Sequence, residues 1–202
     1  VLERHPAALT EAAVEAVLPR FRGEILQVPP MYSALKVNGQ KLCDLARKGQ
    51  TVERKPRPVT IHELAFLGFQ DDCLRLRVRC SKGTYIRTLC KDLGEALGCG
   101  GCMAQLRRVS AGSYTIGQAV PLETLLESAD PGQYLLPVDS LFASLPALTL
   151  TPNQETRCRN GNPFTRNVPD GRYRCYGKSG EFLMLGSVRD NVMSTVKSFF
   201  EV

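Results

Sequence analysis

The chain has 202 residues, 43% of them hydrophobic and 23% charged, a balance that fits a soluble globular protein with one ordinary core and a small second one. No run approaches the roughly 18 apolar residues that a membrane span needs, and no stretch at its start reads as a secretory signal. A net charge of +6 points toward an anionic partner, since basic side chains gain from phosphate contacts by counterion release.

The first residue is Val1, and Glu3-Arg4-His5-Pro6 reads as the interior of a longer protein. Thr10-Glu11-Ala12-Ala13 is a capped helix start with Val14, Val17, Leu18 and Phe21 on one face, and Pro19 ends or kinks it. From Phe21 to Lys41 the paired prolines Pro29-Pro30 and the Asn38-Gly39 pair exclude a long helix and predict an ordered loop closed by a tight turn. With Arg22, Tyr32, Lys36 and Lys41 this loop mixes cations and an aromatic ring, as RNA contacts do, and a purely structural loop would use the same residues.

Leu42, Leu45 and Ala46 predict a short helix ending at Gly49. The segment from Glu53 to Pro58 is basic and extended, because each proline disfavours helix before it. Val59–Phe69 and Cys73–Cys80 are expected to form two paired strands with Asp71-Asp72 in the turn. In the second, Leu74, Leu76, Val78 and Cys80 alternate with Arg75, Arg77 and Arg79, the period of a strand with one buried and one wet face.

That strand runs into Cys80-Ser81-Lys82-Gly83-Thr84-Tyr85-Ile86-Arg87-Thr88-Leu89-Cys90, the join around which the chain is organised. Ile86, Leu89, Cys90, Leu93 and Leu97 recur at helical spacing. Gly83 permits a sharp turn and Thr84 is a candidate N-cap. Lys82, Arg87 and the positive end of a helix then converge near Tyr85, an arrangement suited to an anion or a flat ligand bearing phosphates.

Ala104–Ser110 leads toward Tyr114 as a strand-like run carrying Arg107 and Arg108, and Pro121–Ser128 reads as a short helix. A boundary is expected between Leu141 and Leu150, dividing the chain into residues 1–145 and 146–202. Beyond it, Leu148–Leu150, Arg172–Tyr176, Glu181–Val188 and Met193–Phe200 read as short strands. Turns at Asn160-Gly161-Asn162-Pro163, Asp170-Gly171, Gly177–Gly180 and Asp190-Asn191 separate them, which predicts a small β-barrel or roll. The eight cysteines sit mostly singly in apolar patterns, as reduced thiols of a cytoplasmic protein do. Cys99-Gly100-Gly101-Cys102 is the one CxxC pair and supplies half of a zinc site; the histidines are His5 and His62.

Three separated motifs, Phe21-Arg22-Gly23 with Gln27–Lys36, then Cys80–Arg87, then Leu97–Gly100 with Leu106-Arg107-Arg108, together resemble the bacterial tRNA pseudouridine synthase B (TruB) family over roughly residues 20 to 115. The Asn160–Pro163 tail resembles, more loosely, that family's small PUA-like domain. The resemblance implies an α+β fold: part of a mixed, largely antiparallel sheet with helices, followed by a PUA-like β domain. It implies an isomerase that converts one uridine in the T loop of tRNA to pseudouridine. The glycosidic C–N bond breaks, the uracil turns and a C–C bond forms to its C5, with no metal or redox cofactor. The target base must be flipped out of its stack.

On this pattern Tyr85 stacks on the uracil and takes part in proton transfer, and Arg87 pairs with the family's catalytic aspartate, holding it ionised. Leu106 belongs to the apolar floor. Lys82, Arg107 and Arg108 near the pocket and Lys36 in the loop are expected phosphate contacts, inferred from charge and position. If Tyr85 and Arg87 both face the base, they lie two residues apart on extended backbone, since a helix would diverge them by about 200°, and the helix begins near Arg87.

The family's nucleophilic aspartate lies in a Gly-x-Leu-Asp-Pro-type motif that does not occur in this sequence. Asp92, nearest to the join, reads as a helix-surface residue. The chain is therefore expected to be the C-terminal portion of such an enzyme, inactive alone, with an open sheet edge or an uncovered apolar face. The partner expected is the tRNA T stem-loop, with no membrane or metal, and the full-length protein is expected to be a monomer in the cytoplasm. The competing readings are a non-catalytic RNA-binding module and a thiol or zinc protein built on Cys99 and Cys102.

Overall fold

The computed structural model describes residues 7–200; the expectation drawn from Glu3–Pro6 lies outside them. Two units form, residues 1–107 and 108–202.

In the first unit, helix α1 (Glu11–Val17) starts where Thr10 Oγ1 accepts the Ala13 N–H at 3.2 Å, and Pro19 sits in the 3₁₀ turn that follows. Strand β1 (Gly23–Gln27) leads to the proline loop, and β2 (Lys36–Val37) and β3 (Gln40–Lys41) make a hairpin. Its turn residues Asn38 and Gly39 both have positive φ, 49° and 81°, which is what the twist of a two-residue hairpin demands. Helix α2 (Leu42–Arg47) follows and buries Leu42 and Leu45.

The long strand β4 (Arg57–Gln70) and β5 (Cys73–Cys80) pair antiparallel through a turn with Asp71 and Asp72 at φ 50° and 57°. Pairing begins earlier than expected, with Arg57 opposite Gln27 and Pro58 opposite Leu26. Pro58 is tolerated because β5 first meets β4 at Ile61, so the missing N–H of the proline has no second neighbour to serve. The sheet order is β1-β4-β5. Helix α3 (Ile86–Ala96) and α1 close one face, burying Val14, Leu18, Ile61, Leu64, Leu89 and Leu93. Leu74, Leu76, Val78 and Cys80 on the same face of β5 remain half-buried, and among the described residues the outer edge of β5 has no partner strand.

The helix begins at Ile86, one residue before the expected start. Tyr85 is its extended N-cap residue at φ −99° and ψ 103°, while Arg87 lies within the first turn. The two-residue extended spacing of Tyr85 and Arg87 is thus corrected: only Tyr85 is extended. Thr84 does not cap the helix either, because its hydroxyl donates to the Ser81 carbonyl at 2.9 Å and closes the turn instead. At the far end, α3 meets Cys99-Gly100-Gly101-Cys102 backbone to backbone at Gly94. The N–H groups of Cys99 and Gly100 both donate to the Gly94 carbonyl, at 3.1 and 2.9 Å, and a Cβ on Gly94 would fall 2.1 Å from the Gly100 carbonyl carbon.

The second unit opens with the two-residue ladder of β6 (Ser110–Ala111) and β7 (Tyr114–Thr115). Residues 101–109 before it have no regular structure and are nearly all exposed, so the strand-like run expected from Ala104 is confined to this ladder. Helix α4 (Leu122–Glu127) follows, with Pro121 just before its first turn.

A five-stranded sheet then forms in the order β8-β10-β11-β12-β9, from β8 (Ala147–Thr149), β9 (Phe164–Thr165), β10 (Gly171–Tyr176), β11 (Phe182–Arg189) and β12 (Val192–Ser198). All pairs are antiparallel except β8 with β10. Between β8 and β9 lies helix α5 (Pro152–Arg159), an element absent from the expected run of strands and turns. Its start is fixed by a reciprocal capping box: Thr151 Oγ1 accepts from the Gln154 N–H, and the Gln154 side chain accepts from the Thr151 N–H. The core packs Leu150, Cys158, Phe164, Tyr173, Cys175, Leu183, Met184, Val188 and Met193.

Candidate active site at the strand-to-helix join

The turn after β5 is pinned to β4. The Ser81 N–H donates to the Thr60 carbonyl at 2.8 Å, and Ser81 Oγ accepts the Thr60 N–H at 2.9 Å. Gly83, at φ 89°, takes the left-handed position that lets the chain reverse. Lys82 sits exposed at the tip, beside a half-buried Tyr85.

Tyr85 is held through its backbone. Gln27, only 1% exposed, accepts the Tyr85 N–H on Oε1 at 2.9 Å and donates Nε2 to the Tyr85 carbonyl at 3.3 Å. The same carbonyl accepts the Leu89 N–H at 3.0 Å. A side-chain amide therefore does what a neighbouring strand would do, satisfying both backbone polar groups of one half-buried residue. With the backbone fixed at extended φ and ψ, the phenol is left without a structural hydrogen bond among the described residues.

The proline loop is laced by side chains to α3 and to the segment before β4. Arg87 donates Nη2 to the Tyr32 carbonyl at 2.6 Å, Thr88 donates Oγ1 to the Val28 carbonyl at 3.4 Å, and Arg54 donates Nη1 to the Pro29 carbonyl at 3.1 Å. The Tyr32 side chain itself is 60% exposed. The guanidinium of Arg87 is exposed, and its other donors make no hydrogen bond among the described residues. A carboxylate brought to it would find a bidentate fork. Asp92 is half-buried on α3 and not the plain surface residue expected, and this burial pushes its carboxyl above the ordinary aspartate range, against the opposing pull of Lys91.

Of the expected site residues, the structure brings Tyr85 and Arg87 to one helix start, with Lys82 three residues before Tyr85. Lys36 lies exposed on the β2–β3 hairpin, opposite Lys41. Leu106, 60% exposed, and Arg107 lie in the irregular segment that ends the first unit, and Arg108 begins the second. Gln27 and Thr88 carry the site without having been singled out. The signal for Gln27 was its parity with Ile25, which puts a polar side chain on the inward face of a strand.

Comparison with known proteins matches residues 1–86 to the family model described as TruB family pseudouridylate synthase (N terminal domain), and residues 87–143 to the tRNA pseudouridylate synthase B C-terminal domain. The chain is 46% identical over 95% of its length to tRNA pseudouridine synthase B of Pseudomonas fluorescens (strain Pf0-1), of which it spans 65%. It is 52% identical over 75% of its length to the protein of the same name from Dechloromonas aromatica (strain RCB), of which it spans 52%. Among solved structures, a Cbf5-Nop10-Gar1 complex matches with a TM-score of 0.68 at 20% identity, over 98% of this chain and 64% of that one. An H/ACA RNP bound to a substrate RNA containing 2'-deoxyuridine matches with a TM-score of 0.69 at 17% identity, over 98% of this chain and 64% of that one. At such identity the likeness is one of fold.

Proposed function

The chain belongs to the TruB family, and from that premise we propose that the whole protein isomerises the T-loop uridine at position 55 of tRNA to pseudouridine. The C1′–N1 bond breaks and a C1′–C5 bond replaces it; C5 gives up its proton and N1 gains one. No metal or redox group is needed for this exchange. The observation that carries the reading is the hold of Gln27 on the Tyr85 backbone beside an Arg87 with unused donors. It presents an aromatic ring and a guanidinium at one helix start. Tyr85 stacks on the flipped uracil and assists proton transfer, Arg87 holds a nucleophilic aspartate ionised, and Leu106 lies under the base. Lys82, Arg107, Arg108 and Lys36 meet phosphates of the T stem-loop.

The 202 residues contain no Gly-x-Leu-Asp-Pro motif, so the chain alone is expected to bind without turnover, and the activity is proposed for the whole protein. Residues 146–202 act as a PUA-like RNA-binding module, and residues 1–145 belong to the catalytic domain, consistent with a C-terminal family match that stops at residue 143. We place the whole protein in the cytoplasm as a monomer.

The test is pseudouridine formation on a T-arm RNA hairpin by the whole protein. Tyr85→Phe and Arg87→Ala should each lower turnover by about 100-fold or more, the range of a lost proton-transfer or charge-holding group. Turnover unchanged in both, with only weaker RNA affinity, would leave these residues as binding groups and sink the catalytic roles.

A further inference from the structure

The outward face of β5 carries Arg75, Arg77 and Arg79, all exposed, while the alternate residues turn toward the core. Same-face residues on a strand lie about 6.7 Å apart, so the three arginines leave one face of β5 at regular spacing. Among the described residues none of the three is in an ion pair; Arg75 donates Nη1 to Gln70 Oε1 at 2.8 Å, and Arg77 and Arg79 have no side-chain hydrogen bond. Their ladder partners on β4 are Gly68, Ala65 and Glu63. Two of these are too small to shield the row and one is acidic.

A row of like charges on adjacent same-face positions repels itself, and among the described residues no carboxylate pairs with Arg75 or Arg77 to relieve that cost. A polyanion would. Arginine also offers a planar fork that matches phosphate oxygens two at a time. Beyond Arg79 the chain passes through Cys80 and Ser81 to Lys82 and Tyr85, so the row ends at the join. Its outer strand edge is open and its face uncovered among the described residues.

We propose that Arg75, Arg77 and Arg79 form a track for the phosphodiester backbone of the RNA, leading from the join along β5 toward the β4–β5 turn. This rests on the reading of the join as an RNA site. The spacing of the row suits successive phosphates of one strand, and the track would position the RNA without reading its sequence.

The test measures binding of a T-arm RNA hairpin to the 202-residue chain by fluorescence anisotropy across a salt series. It compares the wild type with the triple variant Arg75→Gln, Arg77→Gln, Arg79→Gln. A control of equal charge change carries Arg20→Gln, Lys48→Gln and Lys55→Gln, three exposed positions of the same unit. Far-UV circular dichroism melts confirm that both variants fold. The track predicts a slope of log affinity against log salt lower by about two in the triple variant, at roughly 0.7 per lost phosphate contact. A fourfold rise in salt would then weaken the wild type about 16-fold more than the variant, while the control keeps nearly the wild-type slope.

Equal slopes in wild type and triple variant overturn the track, as does a wild type that fails to bind the RNA. So does a loss confined to anionic phospholipid vesicles, which would assign the row to a lipid surface. Failure of the enzyme reading looks different: the whole protein would leave uridine unconverted while the slope still depended on the three arginines.

Discussion

Replacing Gln27 tests how the join is held. Gln27→Leu keeps nearly the same volume, so little cavity opens, but both hydrogen bonds to Tyr85 are lost, at 2.9 and 3.3 Å. The Tyr85 carbonyl retains the Leu89 N–H, whereas the Tyr85 N–H is left without a partner. Two net hydrogen bonds at about 1 kcal/mol each, with a further 1 kcal/mol or so for the stranded donor, give a loss of about 3 kcal/mol. Gln27→Glu sharpens the reasoning. Its carboxylate still accepts the N–H but sets a buried charge against the Tyr85 carbonyl, which raises its pKa above the unfolded value. Such a group stabilises the fold fully below its unfolded pKa, and that contribution disappears as pH rises through the folded pKa. Gln27→Glu should therefore be least damaging in mild acid and worsen toward neutral pH, while Gln27→Leu is insensitive to pH over that range. The assay is urea unfolding followed by far-UV circular dichroism, since the chain contains no tryptophan. A Gln27→Leu loss below about 0.5 kcal/mol, or a Gln27→Glu loss that does not vary with pH, would show that the amide is not what fixes Tyr85.

Gly94→Ala should cost about 3 kcal/mol, because the new methyl meets the Gly100 backbone and forces α3 away from residues 99–101; thermal unfolding of the chain reads it directly. Asp92→Asn should stabilise the first unit at neutral pH. The raised pKa of Asp92 means that its contribution is complete below the unfolded aspartate value and declines as the carboxyl ionises, so the advantage of the amide should shrink in acid. In the second unit, burial pushes the Cys175 thiol up to about 12, and Cys158 is shifted upward for the same first reason. A thiol-specific disulfide reagent at mildly alkaline pH should label exposed Cys73 and Cys102 at once, and reach Cys158 and Cys175 only as fast as the unit opens. Between the ordinary cysteine value and about 12, Cys175 should also make folding progressively less favourable as pH rises.

Local chemistry made the hairpins legible in the sequence. Asn38-Gly39, Asp71-Asp72 and Asp190-Asn191 all take positive φ, a conformation few other residue types accept, so each marks its turn without help from the rest of the fold. The amphipathic stripe of α3 was equally clear, and its start is expected one residue late, at Arg87, because Tyr85 and Arg87 are both required to face the base from extended backbone. The Thr84 cap failed for a different reason: Tyr85 takes the N-cap position, and the Thr84 hydroxyl donates to the Ser81 carbonyl within the preceding turn. Helix α5 escaped because the segment after Leu150 reads only as strands and turns, although Pro152 opens the helix. At the first turn of a helix proline costs nothing, and the reciprocal Thr151 and Gln154 pair was the sign that it stood there.

The harder part to read was why the first and second motifs occur together. Gln27 reaches Tyr85 across 58 residues, Arg87 reaches Tyr32 across 55, and Thr88 reaches Val28 across 60. Each bond joins a side chain in or next to one motif to backbone in the other. Carbonyls and amides exist at every position, so no pairing of residue types in the sequence reveals these contacts. The first motif is thus largely the scaffold of the second. A chain with Lys-Gly-Thr-Tyr-Ile-Arg but an apolar residue in place of Gln27 would keep the ring and the guanidinium and lose the backbone geometry that presents them. Loop residues 33–35 are also tied to the start of α2, where the Ser33 and Leu35 carbonyls accept from Cys43 and Leu42, so releasing the α3 contacts should loosen chiefly residues 28–32 and the helix start together. The site is one cooperative piece, and damage to either motif should appear in the order of the other.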